Sequence, residues 1–262
     1  MTKIFGTATD FVTEATRGNI PGISTYHKFG RNIEVDAGVT ADIWDGGYTG
    51  DVSLIWVAPT QARIHDIKSS SSDDASAGVG ARTILIFGLT DWDTAESTEN
   101  ITLNGTNNVA TSNSYVIIHR MRVLTKGATS VNVGVITATA QSNNTITAQI
   151  NAGQGQTQMA IFGIPSTQKV YMERFYANVN KAGGAAGLVD VTLLYNPEPD
   201  SQLTKFVVRH TFGLQTVGTS AFTIPYATPK AFAGPGILKI QVLSGTNNMD
   251  VSAGFDLIIV DN

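Results

Sequence analysis

Short apolar runs, most of them alternating with polar residues, follow one another from residue 51 to residue 262. Such a period of two places one face of a strand against a core and the other face in solvent. Turn residues separate the runs, and Asn104-Gly105 is a pair that tight hairpin turns favour. The pattern predicts strands near residues 52–56, 63–68, 82–87, 101–103, 115–124, 131–135, 145–150, 159–164, 169–179, 188–195, 206–212, 222–226, 237–243 and 255–260.

A helical spacing of apolar residues is not sustained in any window of about a dozen residues, because Gly, Pro or β-branched runs cross each one. Many short strands with regular turns are typical of sandwiches and barrels. We therefore predict an all-β protein built as a β-sandwich or jelly-roll.

A faint internal repeat suggests that there are two such units. Thr60-Gln61, a small-residue loop and the run Arg82–Phe87 have counterparts in Thr167-Gln168, a second small-residue loop and the run Asp190–Tyr195. A sandwich domain needs about 100 residues. The repeat predicts two tandem sandwiches, at residues 51–155 and 156–262.

Residues 1–50 differ from the rest, because glycines and Pro21 interrupt every run before a long element could form. We expect an extended N-terminal arm that becomes ordered on a neighbouring subunit, where aromatic side chains supply most of the binding energy. The predicted interface anchors are the apolar Phe29 and Trp44, with Arg31, Asp42 and Asp45 fixing the register.

Composition narrows the class of partner. The net charge is −4, charged residues make up only 15%, and cysteine is absent. An acidic chain is not expected to bind nucleic acid or an anionic membrane, and it has no apolar run of the ~18 residues that a membrane helix needs. The lack of cysteine excludes disulfides and thiolate metal sites and fits assembly in a reducing cytoplasm.

Candidate chemistry is sparse. The four histidines are far apart in sequence, and the Gly-x-Gly segments do not open a helix after a strand. Asp42-x-x-Asp45-Gly-Gly has oxygen ligands suitable for Ca²⁺, but it lacks the complete loop motif and a closing glutamate, so a turn or cap is favoured. Trp44 and Trp92 are each flanked by Asp and are candidates for contact surfaces, including stacking on sugars. We expect no catalytic, cofactor or metal site.

Five strings in this order resemble a family of structural or uncharacterised proteins of tailed bacteriophages, especially those of marine bacteria. The resemblance runs from about residue 26 to the C-terminus and implies a β-sandwich or jelly-roll particle component that acts by assembly. The strings are His27-Lys-Phe-Gly-Arg-Asn32, Asp42-Ile-Trp-Asp-Gly-Gly47, Ser76-Ala-Gly-Val-Gly-Ala-Arg-Thr83, Thr102-Leu-Asn-Gly-Thr106 and Met159-Ala-Ile-Phe-Gly-Ile-Pro165.

These observations lead to an expected function. The chain would be a non-enzymatic virion structural protein, most simply a head decoration or cement protein that binds the major capsid protein as a symmetric homo-oligomer, with a trimer favoured. The alternatives are a tail adaptor or fibre base, and a glycan-binding receptor module that uses Trp44 and Trp92. A depolymerase is disfavoured, since no acidic pair is marked as buried across a sugar-binding cleft.

Overall fold

The computed structural model describes residues 8–48, 54–58, 60–181, 186–201 and 205–262. Apart from one helix, α1 (Ala8–Thr16), and a 3-10 turn (Asp45–Tyr48), its regular elements are strands joined in antiparallel sheets, so the predicted all-β class is confirmed. The strands are β1 (Ile23–Val35), β2 (Thr40–Asp42), β3 (His65–Ser69), β4 (Ala81–Leu89), β5 (Ser97–Thr102), β6 (Val109–Ala110), β7 (Ile117–Lys126), β8 (Ile136–Ala140), β9 (Thr145–Ile150), β10 (Ile161–Ile164), β11 (Gln168–Lys181), β12 (Leu188–Asn196), β13 (Val207–Gln215), β14 (Ala221–Ala233), β15 (Gly236–Ser244) and β16 (Met249–Asp261).

Eight of these strands form a jelly roll. One sheet has the order β1-β16-β11-β14 and the other the order β10-β15-β12-β13, and short β2 adds to the second sheet beside β15. Numbered one to eight along the chain, the two orders read 1-8-3-6 and 2-7-4-5. This interleaving of two four-stranded antiparallel sheets is the jelly-roll arrangement.

The core of the jelly roll lies between its two sheets. Phe175 and Phe255 of the first sheet and Val191 and Ile240 of the second sheet are all fully buried in one apolar cluster. Their strands alternate inward apolar and outward polar residues, which is why the sequence pattern located them.

A second sandwich is inserted between the first two strands of the jelly roll. Its sheets have the orders β6-β3-β8-β9 and β5-β4-β7, and they enclose a separate apolar cluster that includes Trp56, Ile86 and Ile118. The two sandwiches have different strand orders, so the faint repeat around Gln61 and Gln168 does not reflect a duplicated fold. Ile161 and Ile237 of the jelly roll also belong to the inserted cluster and join the two units.

This topology corrects the prediction of an extended N-terminal arm over residues 1–50. Ile23–Val35, predicted as part of an extended arm, is the first jelly-roll strand and pairs with the last strand from Ile23–Val260 to Val35–Met249. At Gly30, an added Cβ would lie 2.6 Å from the backbone nitrogen of Ala160, so the close approach of these two backbone segments requires glycine. Only residues before Ile23 remain candidates for an arm.

Helix α1 lies against this strand. Its Ala15 is buried, and the hydroxyls of Thr16 and Thr25 are 3.1 Å apart. Within the described ranges no helix has the length and apolar character needed to cross a membrane.

Candidate functional site

Asp42 belongs to a buried ion pair. Its Oδ2 lies 2.7 Å from Nζ of Lys239, and it also accepts hydrogen bonds from the backbone N–H of Trp56 and the side-chain amide of Gln241. Burial raises the pKa of Asp42, and the charge of Lys239 opposes that rise. The carboxylate therefore ties the segment around Trp56 to the jelly-roll sheet and is not free to bind a neighbour.

Trp44 and Asp45 are also internal. Trp44 is 1% exposed and packs in the core of the inserted sandwich, while Ile43 packs in the core of the jelly roll. The carboxylate of Asp45 accepts a 2.8 Å bond from the backbone N–H of Gln158 and one from the side chain of Asn151. Burial raises the pKa of Asp45 to about 7. These residues hold the two units together, because consecutive side chains enter different cores.

Phe29 and Arg31 are the two predicted anchors that reach the surface. Both project from the outer face of the first jelly-roll sheet, Phe29 half-buried and Arg31 exposed. Arg31 forms a two-point ion pair with Asp250 of the neighbouring strand. The five predicted anchors therefore do not form one surface. Asp42, Trp44 and Asp45 are internal. A role in an interface between subunits stays a prediction for Phe29 and Arg31.

A cross-strand ladder occupies the same outer face. Nδ1 of His27 lies 2.5 Å from Asp256, and Nε2 of His27 lies 3.2 Å from the hydroxyl of Tyr176. A carboxylate, an imidazole and a hydroxyl in a row are the groups of a nucleophilic triad. Burial and Asp256 raise the pKa of Tyr176 to about 12, however, which opposes ionisation of this hydroxyl. The ladder is therefore assigned to sheet stabilisation.

Trp92, the remaining sequence candidate, and the buried carboxylate of Asp74 are structural as well. Trp92 is 7% exposed, and with Trp44 it lies in the inserted core, so the idea that these two rings stack on sugars was wrong. Asp74 is fully buried and accepts bonds from Ser69 and from the backbone N–H groups of Ala81, Val133 and Gly134. Across the described residues no group of three potential metal-ligating side chains comes together.

On each of its two sides, the jelly roll has one edge strand from each sheet, with a gap between them. The inserted sandwich covers this gap on one side. Strands β1 and β10 are the edge strands on that side. The ring of His119, from the inserted sandwich, packs 4.8 Å from Phe162 of β10 and 5.9 Å from Tyr26 of β1. An aromatic cluster thus closes the gap between the edges.

Charged groups complete this junction. Lys28 is 2% exposed and donates from Nζ to the backbone oxygen of His119, whose Nε2 lies 2.5 Å from Glu96. The guanidinium of Arg120 lies 4.5 Å from the centre of the Tyr26 ring. Burial lowers the pKa of both Lys28 and His119. This cluster was not predicted from the sequence, because a lysine such as Lys28 on a strand ordinarily indicates a solvent-facing position.

The opposite side of the jelly roll is uncovered in the described chain. Its edge strands are β13, which pairs with β12, and β14, which pairs with β11. Leu214 is the one buried residue of β13, and Phe232 is the one buried residue of β14. We call β13 and β14 together the open edge.

Apolar side chains of the open edge face solvent. Val208 is 59% exposed and Phe222 is 44% exposed, and the rings of Phe212 and Phe222 lie 5.3 Å apart in the gap between the sheets. An unpaired strand edge with exposed apolar side chains is a ready site for association. Pro225 and Pro229 limit pairing along β14, whereas β13 contains no proline.

The open edge is also basic. Arg209 lies over the Tyr195 ring, and Lys230 donates a 2.7 Å bond to the backbone oxygen of Arg209 across the gap. Burial and the charge of Arg209 lower the pKa of Lys230. Among the described residues neither cation has a carboxylate within ion-pair distance. The sequence carried a signal for this, since no Asp or Glu occurs between Asp200 and Asp250.

A groove of about 610 Å³ adjoins the open edge on the outer face of the second sheet. It lies beside Asp190 and Gly213, between Leu188 and Leu243, which are 57% and 43% exposed. The apolar surface therefore extends from the gap onto the sheet face.

No protein-family model matches the chain, and no curated protein matches it. The similar solved structures include two particles of infectious bursal disease virus. The T13 viral particle is 10% identical over 96% of this chain and 74% of that chain, with a TM-score of 0.27. The VP2 subviral particle is 8% identical over 96% of this chain and 77% of that chain, with a TM-score of 0.23.

Proposed function

We propose that the chain is a virion structural protein of a tailed bacteriophage that acts by assembly and catalyses no reaction. The observation that carries the proposal is the jelly roll with one side closed by an inserted sandwich and the other side left open. Jelly rolls recur in viral capsid proteins. Because a fold alone does not define a function, the proposal rests on the open edge as well.

The surface chemistry supports an assembly role. Val208 and Phe222 are exposed on the edge strands of the two jelly-roll sheets, each of which pairs with an inner strand, and the Leu188 groove continues the apolar area. Contacts of this kind need little reorganisation of the backbone, which lowers the cost of association. Low overall charge further reduces the desolvation cost of a large interface.

The finer role is a head decoration or cement protein that forms a symmetric homo-oligomer on the major capsid protein. The resemblance of the strings between His27 and Pro165 to virion proteins supports a particle component, and the compact jelly roll with its inserted sandwich suits a unit added to a preformed shell. The virion is the corresponding location, after assembly in the host cytoplasm.

Mass spectrometry of purified virions, separated into heads and tails, tests this function. The expected result is this chain in the head fraction at a fixed ratio to the major capsid protein. Recovery only with tails would replace decoration by a tail adaptor or fibre base. Absence from both fractions, with the gene expressed during infection, would reject the virion role.

A further inference from the structure

We infer that the open edge binds a second copy of this chain at its acidic β4–β5 turn, in a head-to-tail contact. The turn contains Asp91 and Asp93. This inference rests on the proposed function, since it names the partner through which assembly would occur. It follows from the exposed apolar strands, from two cations beside them and from two carboxylates elsewhere on the same chain, all four without an ion-pair partner among the described residues.

The first step is the comparison of the two sides of the jelly roll. On the β1/β10 side, Tyr26 and Phe162 are covered by His119 of the inserted sandwich. On the β13/β14 side, Phe222 contacts Phe212, which contacts Phe175 and His210; in the described chain, none of these ring contacts comes from the inserted sandwich. The chain therefore already uses an inserted sandwich to close one side, and a sandwich of another copy is the kind of surface that would close the other.

The second step is charge. Between Asp200 and Asp250 the chain has four basic residues and no acidic one. Two of the four are matched, because Lys239 pairs with Asp42 and Lys205 pairs with Glu198. The unmatched pair consists of Arg209 and Lys230, which lie together at the open edge.

The complementary segment lies between Arg82 and Arg120, where the chain has four acidic residues and no Lys or Arg. Glu96 is matched by His119, and Glu99 accepts bonds from Tyr115 and from two backbone N–H groups. The other two acids are Asp91 and Asp93, both exposed and without a cation in the described structure.

The acidic turn is also held in shape. Trp92, which stands between Asp91 and Asp93 in the sequence, is buried. Its backbone oxygen accepts a 2.6 Å bond from the backbone N–H of Ser166. The hydroxyl of Ser166 donates to Asp93, and the backbone N–H of Asp93 donates to Asp91. A preorganised pair of carboxylates loses little conformational entropy when it binds.

The same charges oppose a two-fold contact between open edges. In a two-fold interface each patch meets itself, so the patch that carries Arg209 and Lys230 would meet a second patch with the same two cations. Like charges placed together across an interface are strongly unfavourable. A head-to-tail contact instead brings basic edge and acidic turn together, and it closes into a ring if the rotation allows.

Charge-reversal variants test the contact. Self-association of the full chain is measured by sedimentation velocity over a dilution series. The basic-edge variant is Arg209→Glu with Lys230→Glu, and the acidic-turn variant is Asp91→Lys with Asp93→Lys. Each alone is expected to weaken self-association by about tenfold or more. The quadruple variant, which restores opposite charges, is expected to associate again.

Matched controls carry the same change in net charge at exposed positions away from both surfaces. They are Lys68→Glu with Lys126→Glu, and Glu34→Lys with Asp73→Lys. Both controls are expected to associate like the unmodified chain. Because Lys230 also bonds to the backbone of β13, Arg209→Glu alone is included as a variant that keeps this bond, and thermal unfolding confirms that each protein is folded.

The inference is overturned if the unmodified chain stays monomeric at every concentration. It is equally overturned if the basic-edge variant associates normally, or if the folded quadruple variant does not recover. The proposed function fails separately: a chain that self-associates as described but is missing from virions keeps this contact and loses the virion role. A monomeric chain found in virions gives the reverse result.

Discussion

The ammonium of Lys239 lies 2.7 Å from the carboxylate of Asp42, and both side chains are almost fully excluded from solvent. Removal of one partner from a buried pair leaves an uncompensated charge, which costs about 3–5 kcal/mol. We expect Asp42→Asn to lower the free energy of unfolding by that amount, measured by urea denaturation at neutral pH. The double variant Asp42→Asn with Lys239→Met removes both charges and is expected to lose much less. A single variant within about 1 kcal/mol of the unmodified chain would show that the pair is not buried as described.

Trp44→Ala separates the two interpretations of this tryptophan. Because the ring fills the core of the inserted sandwich, its removal should cost about 3–5 kcal/mol of folding stability. Trp44→Phe, which keeps an aromatic ring, should cost less. Urea denaturation followed by circular dichroism gives the values. A variant of unchanged stability that no longer associates would instead restore Trp44 as an anchor on a neighbouring subunit.

Asp45 should make stability fall as pH rises from about 4 to about 7. Burial raises its folded pKa to about 7, above the ordinary value of 3.8, so between these values the unfolded chain has released a proton that the folded chain retains. The loss of stability is roughly 2–4 kcal/mol, and it is complete above the folded pKa. Asp45→Asn should remove this slope in unfolding midpoints measured across the range. An unchanged slope would contradict the assignment.

His65 should act in the opposite direction in nearly the same window. Burial lowers its folded pKa to about 4, below the ordinary 6.5, and its Nδ1 lies 3.0 Å from the backbone oxygen of Arg63. Its contribution is therefore fully present above pH 6.5 and is lost as pH falls towards 4, by roughly 2–3 kcal/mol. An NMR titration of the imidazole should give a midpoint near 4. In the Asp45→Asn background the slope of this sign should become visible, and His65→Phe should reduce it, leaving the contribution of buried His119. A midpoint near 6.5 for His65 would exclude the effect.

Gly30→Ala should be strongly destabilising. A Cβ at this position would lie 2.6 Å from the nitrogen of Ala160 and 2.7 Å from the oxygen of Ile43, which bond to each other at 2.8 Å. Overpacking of this kind costs about 1–3 kcal/mol before the lost hydrogen bond is included. Gly245→Ala is the matched control, because its nearest contact, at 3.5 Å to Leu188, is ordinary. Equal thermal midpoints for the two variants would contradict the close approach.

The strands that the sequence located are those with an apolar inward face. The predicted run 82–87 lies within Ala81–Leu89, and 237–243 lies within Gly236–Ser244. The prediction of a strand at residues 131–135 was wrong, although valines alternate with other residues there. The side chain of Asn132 bonds to the backbone of Gly134, Asn151 and Gly155, so the chain turns instead of extending.

The first jelly-roll strand was missed for a physical reason. Its inward positions include Lys28, Gly30 and Asn32, which are buried at the junction between the two sandwiches. Polar and glycine residues at those positions hide the alternation on which strand prediction depends. Its partner strand, β16, is more than two hundred residues away, and local patterns contain no information about such pairing.

The same reasoning explains what could be found of the candidate site. The exposed strands 206–212 and 222–226 were predicted as strands, but their position at an uncovered edge depends on the order of strands in the sheets. The absence of acidic residues between Asp200 and Asp250 was readable from the sequence. Its meaning depends on the placement of Arg209 beside Lys230, which only the fold provides.

The pairing of the first strand with the last has a consequence for synthesis. Residues 23–35 leave the ribosome long before their hydrogen-bonding partner, residues 249–261, is translated. The inserted sandwich is translated between these two strands and has its own apolar core. It is therefore expected to fold while β1 is still unpaired. Long-range closure of this kind is slow and leaves a strand open to other chains. Nascent chains translated from one mRNA would therefore be exposed to strand exchange until residues 249–261 emerge.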